Sequence, residues 1–174
     1  GEGALGGWDG YLQTFSESQA HIYAPVVATA SATRQFGTTG DDSVQAMTLE
    51  GSDLYTAGVE DGRLTVRRFT LDGSGVPTLA SSRDLGLAGG DVAGISVSGG
   101  RVILSGTTRN DALDVATVTT AHHGGQDAYV VSLGADLAAD PADRVTYVGG
   151  AGDDTAADVK VVDGKVWLTG ISDR

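Results

Sequence analysis

One stretch of this chain is written nearly three times over, and that repetition limits what the chain can fold into more than any other feature. Residues 36–58 read FGTTGDDSVQAMTLEGSDLYTAG, residues 148–170 read VGGAGDDTAADVKVVDGKVWLTG, and between them residues 85–106 read LGLAGGDVAGISVSGGRVILSG. Units repeated in this way cannot bury their apolar faces alone and must stack on neighbours of their own kind. A second part of the unit also recurs: GWDGYLQTF at 7–15 matches GQDAYVVSL at 125–133, with Asp9 on Asp127, Tyr11 on Tyr129, Leu12 on Val130 and Phe15 on Leu133. The chain therefore opens in the middle of a repeat.

With 27 glycines and 3 prolines in 174 residues, the chain has the means for many tight turns. Glycine supplies positive φ angles there and is penalised inside helices, so short strands are expected and long helices are not. Aromatic residues make up only 6% of the chain, so the core is expected to be chiefly Val, Leu, Ile and Ala. The length suits one domain with a core of its own.

Alternation of apolar and polar residues predicts strands over 7–15 and 22–36, then 43–49, 54–58, 63–71 and 76–85 in the first full repeat. The second repeat follows with 92–98, 101–106, 128–133 and 144–148, and the last contributes 155–162 and 165–171. Hairpin turns are expected at Gly51-Ser52 and Gly99-Gly100. The ends are complementary, because the start carries the third and fourth strands of a unit and the finish carries the first and second. From Gly58 to Gly106 is 48 residues and from Gly106 to Gly170 is 64, which places an irregular insertion at 107–124.

Laying the copies over one another selects the expected core positions. Met47, Ile95 and Val159 share one place on the first strand, and Leu49, Val97 and Val161 the next but one. Tyr55, Ile103 and Trp167 mark the second strand, and Phe69, Leu133 and Phe15 the third. Each well-buried member is worth ~1.5–3 kcal/mol, provided that a neighbouring sheet covers it.

A formal charge of −12 and a pI near 4.3 oppose binding to nucleic acid or to anionic membranes. The acidity fits a solubilising surface or, alternatively, cation binding. No run approaches the ~18 apolar residues of a membrane span, and the absence of cysteine removes disulfides and thiolate chemistry. The first residues, GEGALGGWDG, have no basic or apolar region of a signal peptide, so the signal of an exported protein is expected outside this chain.

The acid pairs Asp41-Asp42 and Asp153-Asp154 sit in glycine-containing loops ahead of a first strand, where two readings are open. They can accept backbone N–H bonds and stabilise the turn, or they can serve as weak candidate ligands for Ca²⁺, without the ligand ladder of an EF-hand. Asp9 and Asp127 head the third strand as expected turn caps. His122-His123 form the one imidazole pair, on the insertion, and His21 stands alone. Arg67-Arg68 are expected on opposite faces of an edge region, and Trp8 and Trp167 in inter-sheet packing. No Gly-x-Ser-x-Gly elbow is present, which removes that signature of nucleophilic catalysis, while glycosidase-type carboxylate pairs stay open among the 23 acids; a non-catalytic protein with no cofactor, Ca²⁺ aside, is expected.

Phe36-Gly37 with Gly40-Asp41-Asp42, Tyr55 with Gly58, Gly106-Thr107-Thr108, Gly125-Gln126-Asp127-Ala128-Tyr129, and Gly152-Asp153-Asp154 with Trp167 and Gly170 together carry a resemblance. By these motifs the chain resembles the bacterial SBBP-type β-propeller repeat family. It departs at Asp91, a single acid after Gly89-Gly90, and at Arg63, which stands where Asp9 and Asp127 stand elsewhere. The resemblance implies an all-β protein of four-stranded antiparallel blades, typically exported or on a cell surface, and it brings no catalytic residue. Residues 1–174 are then a single repeat region, with a partial blade at 7–36, blades at 37–85 and 86–148, and a partial blade at 149–174. Propellers close with four or more blades, so about three imply a fragment or half-ring that a homodimer would complete. The expected function is an interaction scaffold for a protein or glycan. Its binding loop is the insertion, with Arg109, Asp111, Asp114, His122 and His123 as contact candidates. The alternative is a Ca²⁺-dependent carbohydrate-binding or hydrolytic site built from loop carboxylates.

Overall fold

The computed structural model describes residues 6–18 and 27–173. Among them there are thirteen strands and no helix. β1 (Gly10–Ser18) and β2 (Val27–Phe36) form a first, two-stranded sheet. β3 (Asp42–Glu50), β4 (Asp53–Glu60), β5 (Arg63–Leu71) and β6 (Pro77–Leu87) form a second sheet in simple chain order. The third sheet holds β7 (Asp91–Ser98), β8 (Arg101–Thr108), β9 (Thr117–Thr120), β10 (Asp127–Gly134) and β11 (Arg144–Val148) in the order β7-β8-β10-β11-β9. β12 (Asp154–Val162) and β13 (Lys165–Ser172) make the fourth. None of these sheets closes into a barrel, and the described residues form no closed ring of sheets. His21 and the start of the strand expected from residue 22 lie outside the described residues.

Two-residue hairpins join the strands where sequence supplies left-handed backbone. Gly99 and Gly100 have φ of 60° and 74°, and Asp163-Gly164 repeat the conformation at 50° and 71°. Two successive positive φ angles give the turn whose twist matches the flanking strands. The first strand of each unit also bulges at the same place: the register slips between Val44 and Ala46, between Val92 and Gly94, and between Ala156 and Asp158. Opposite each bulge stands a glycine of the second strand. A Cβ on Gly58, Gly106 or Gly170 would overlap the carbonyl oxygen of Ser43, Asp91 or Thr155 respectively, so the glycine that ends each second-strand motif is required by close backbone approach.

The sheets pack through the repeated positions. Between the second and third lies the main core, with Tyr55, Leu64, Val66, Val102, Tyr129 and Leu133 among its buried members. A smaller cluster of Leu12, Phe36 and Phe69 joins the first sheet to the second, the two phenylalanine rings 5.3 Å apart. β7 lies alongside both β3 and β12, so the first strands of successive units run side by side.

Several sequence expectations are corrected. The insertion contains β9, which pairs parallel with β11 and adds a fifth strand to the third sheet. Met47, Leu49, Phe15 and Trp167 hold repeat positions that are core in other copies, yet they are 66%, 57%, 54% and 61% exposed because no sheet among the described residues covers their faces. Trp8 is likewise exposed. Arg67 and Arg68 lie on β5, an interior strand of its sheet, and not at an edge. Arg67 makes a two-pronged ion pair with Glu60, at 2.7 and 2.5 Å, and sits over the Phe36 ring, while Arg68 pairs with Asp53 at 2.9 Å.

Candidate functional site

Antiparallel pairing brings the starts of the first and third strands of every unit, and the end of the second, to one end of the sheets. The acid loops and the insertion meet there. Asp42 donates its N–H to the Trp8 carbonyl at 2.6 Å, and Asp154 donates its own to the Gln126 carbonyl at 2.7 Å, so the same loop-to-loop clasp occurs twice. The Asp42 carboxylate is buried and accepts from the Thr38 amide at 2.6 Å, the Thr38 hydroxyl at 3.0 Å and the Asp61 amide at 3.1 Å. Asp154, also buried, accepts from the Gly150 amide at 2.7 Å. The Ser172 hydroxyl, with the Gly150 and Asp173 amides, holds its carboxyl below the usual carboxylate range. The preceding acids behave differently: Asp41 and Asp153 are exposed, and Asp41 accepts from the Trp8 amide at 3.0 Å.

Asp127 is fully buried, and its Oδ2 accepts from the His123 amide at 2.6 Å. Its Oδ1 has no hydrogen-bond partner. A Cβ placed on Gly149 would lie 2.7 Å from that oxygen and 2.6 Å from Asp154 Oδ2, so bare glycine is what lets the two carboxylates share this space. Among the described residues no three His, Asp or Glu side chains form a group that could hold a metal ion.

The insertion is a pinned loop. Arg109 donates its N–H to Gly89 at 3.0 Å, Asp114 donates to Leu85 at 2.9 Å, and Asn110 Nδ2 reaches the Leu87 carbonyl at 2.7 Å. Leu113 is buried in the main core and its amide donates to the Tyr147 hydroxyl at 3.2 Å. Burial pushes the Tyr147 phenol up, with the Leu113 amide opposing. His122 stands edge-on to the Tyr147 ring at 5.4 Å, with Nε2 3.2 Å from the Thr108 carbonyl. Arg109, Asp111, Asp114 and His123 are exposed. An open groove of about 580 Å³, lined by His122, His123, Gly124, Gly149, Gly150 and Ala151, runs between the insertion's end and the following acid loop.

Two structural residues escaped the sequence reading. Asp143 is fully buried and meets Arg83 at 3.5 Å and Arg101 at 3.3 Å, besides accepting from the Gly134 and Asp140 amides. The Asp140-Pro-Ala-Asp143 turn was its only local signal. Gln45, at the bulge of β3, accepts from the Val92 amide of the next sheet at 2.7 Å.

This architecture defines a class, an all-β repeat protein in which buried aspartates clasp the first sheet to the second and the third to the fourth at one end. No family model matches the chain. It is 31% identical over 195 aligned residues to the regulatory protein FlaEY of Caulobacter vibrioides, a match that covers 97% of this chain and 20% of that protein. The chain thus spans about a fifth of the length of the curated relative it matches.

Proposed function

We infer that the chain is a non-catalytic scaffold of β-propeller type, of the SBBP kind, on an exported or cell-surface protein, and that it binds a protein or glycan at its clasped end. The observation that carries this reading is the insertion. Its backbone and Leu113 are tied down, while Arg109, Asp111 and Asp114 are exposed and His123 lines an open groove. A loop ordered in advance loses little entropy when it meets a partner. A regulatory role, as in the name of the relative, suits a protein that acts by binding. The test is a peptide and glycan array probed with the wild type and with the Arg109→Ala, Asp111→Ala, Asp114→Ala, His123→Ala variant. Hits lost in the variant at unchanged Tm support the reading, and hits that all survive overturn it.

A second reading, a Ca²⁺-dependent carbohydrate-binding or hydrolytic site, is favoured by the unpartnered Asp127 Oδ1 beside Asp154. Calorimetric melting with calcium and with chelator separates the two. A calcium-dependent rise in Tm that disappears in Asp127→Asn supports the metal reading, and identical melts remove it.

A further inference from the structure

Among the described sheets the third alone has a fifth strand, and its outer edge is β9. β9 lies well inside the sequence, with described chain on both sides of it. Its residues are all exposed, and among the described residues β11 is its only strand partner. Thr117 donates its N–H to the Asp143 carbonyl at 3.1 Å, and the register sets Thr117 beside Arg144 and Val118 beside Val145. Successive residues of a strand turn to opposite sides, so the N–H and C=O of Val118 point away from β11 into the open. A donor and an acceptor stand there side by side.

This edge differs from the outer edge of the second sheet. β6 starts at Pro77, which has no N–H to offer, and carries Arg83 and Asp84 within the strand. Proline and charge are the usual means of keeping a free edge from pairing. Residues 116–121 read ATVTTA and have neither. Threonine and valine favour extended backbone, and the strand is fastened in advance: the Thr119 hydroxyl donates to the Val145 carbonyl at 3.1 Å and accepts from the Thr146 hydroxyl at 3.2 Å. An edge already extended loses little entropy in taking a further strand.

The surrounding charges favour one sign of partner. Asp111 and Asp114 on the approach to β9, and Asp136 and Asp140 on the turn before β11, are exposed, against Arg109 and Arg144. Arg83 and Arg101 are already engaged with Asp143. With a chain charge of −12 behind them, these acids repel an anionic segment and draw a cationic one.

We propose that β9 takes an extended, cationic segment of a partner protein as a further strand of the third sheet, through main-chain hydrogen bonds to Val118. This rests on the insertion being the binding loop and gives the partner its form, since a glycan has no row of amides to meet that edge. Main-chain bonds supply the affinity, and lysine or arginine drawn by Asp111 and Asp114 supplies the preference in sequence.

The probe is a fluorescent peptide of alternating valine and lysine, followed by anisotropy at low salt. Two changes remove the same hydrogen bonds from opposite sides. N-methylation of the central amides blocks both edges of the peptide and keeps its charge, whereas Val118→Pro takes the N–H from β9 and leaves the Thr117 bond to Asp143 in place. Each is expected to weaken binding about tenfold, with Val118→Pro unchanged in Tm. An alternating valine–glutamate peptide should bind more weakly by at least about tenfold. In the wild type, hydrogen exchange at the Val118 amide should slow when the valine–lysine peptide is bound, a readout that holds even where Val118→Pro disturbs β9. No binding at about 1 mM peptide, equal binding after N-methylation, or unchanged exchange at Val118 overturns the proposal. Array hits lost in the quadruple alanine variant but kept in Val118→Pro leave the loop-binding function standing and remove the added strand.

Discussion

Leu133 and Phe15 hold the same place in the repeat, as do Ile103 and Trp167 on the strand beside it. In the middle of the molecule these side chains are packed between the second and third sheets or against the fourth, whereas at the two ends their counterparts face water. The larger residues are the exposed ones. Burial is therefore decided by whether another sheet lies alongside and not by how apolar the residue is, as expected for an array whose stability is summed over its interfaces.

This contrast can be broken by experiment. The largest effect is expected at the middle: Asp143→Ala leaves Arg83 and Arg101 without their buried partner and should cost ~3–5 kcal/mol in urea unfolding. A loss comparable to that of an exposed surface change would show that the pair is solvated. Next, Leu133→Ala should cost ~2–5 kcal/mol, while Phe15→Ala in dilute solution should stay within about 0.5 kcal/mol of wild type. Similar costs at both sites would mean that the start of the chain is already covered.

The smallest effect concerns pH. Asp154 has a folded pKa depressed by the Ser172 hydroxyl and two amides, so its contribution is present above the ordinary carboxylate range and is lost as pH falls through the folded value. Urea midpoints at pH 5 and at pH 3 should fall further for wild type than for Asp154→Asn. Equal falls would place the acid sensitivity elsewhere.

Most strands were legible in the sequence because alternation and tight-turn residues act locally. β9 was not: Thr117–Thr120 is short, wholly exposed and without apolar alternation, and its pairing depends on β11, some 25 residues away in sequence. The acid loops were legible as turns, since Asp42 and Asp154 follow glycine by a short span in each copy. That Asp127 would join Asp154 across Gly149 was not, because the contact spans two units of the repeat and the motif reports each loop by itself. The core positions were read correctly as a pattern. Which of them would be covered was hidden, for that depends on the number of sheets and not on any residue.

The bulge on each first strand, locked by its facing glycine, works as an index notch cut at the same depth in every unit. A strand that slipped by one residue would drive a side chain into the carbonyl at the notch, so inward and outward faces stay assigned whatever happens in the connections. Lengthened crossings such as the one after β8 can thus accumulate at the rim, changing what the protein touches without disturbing how it is built.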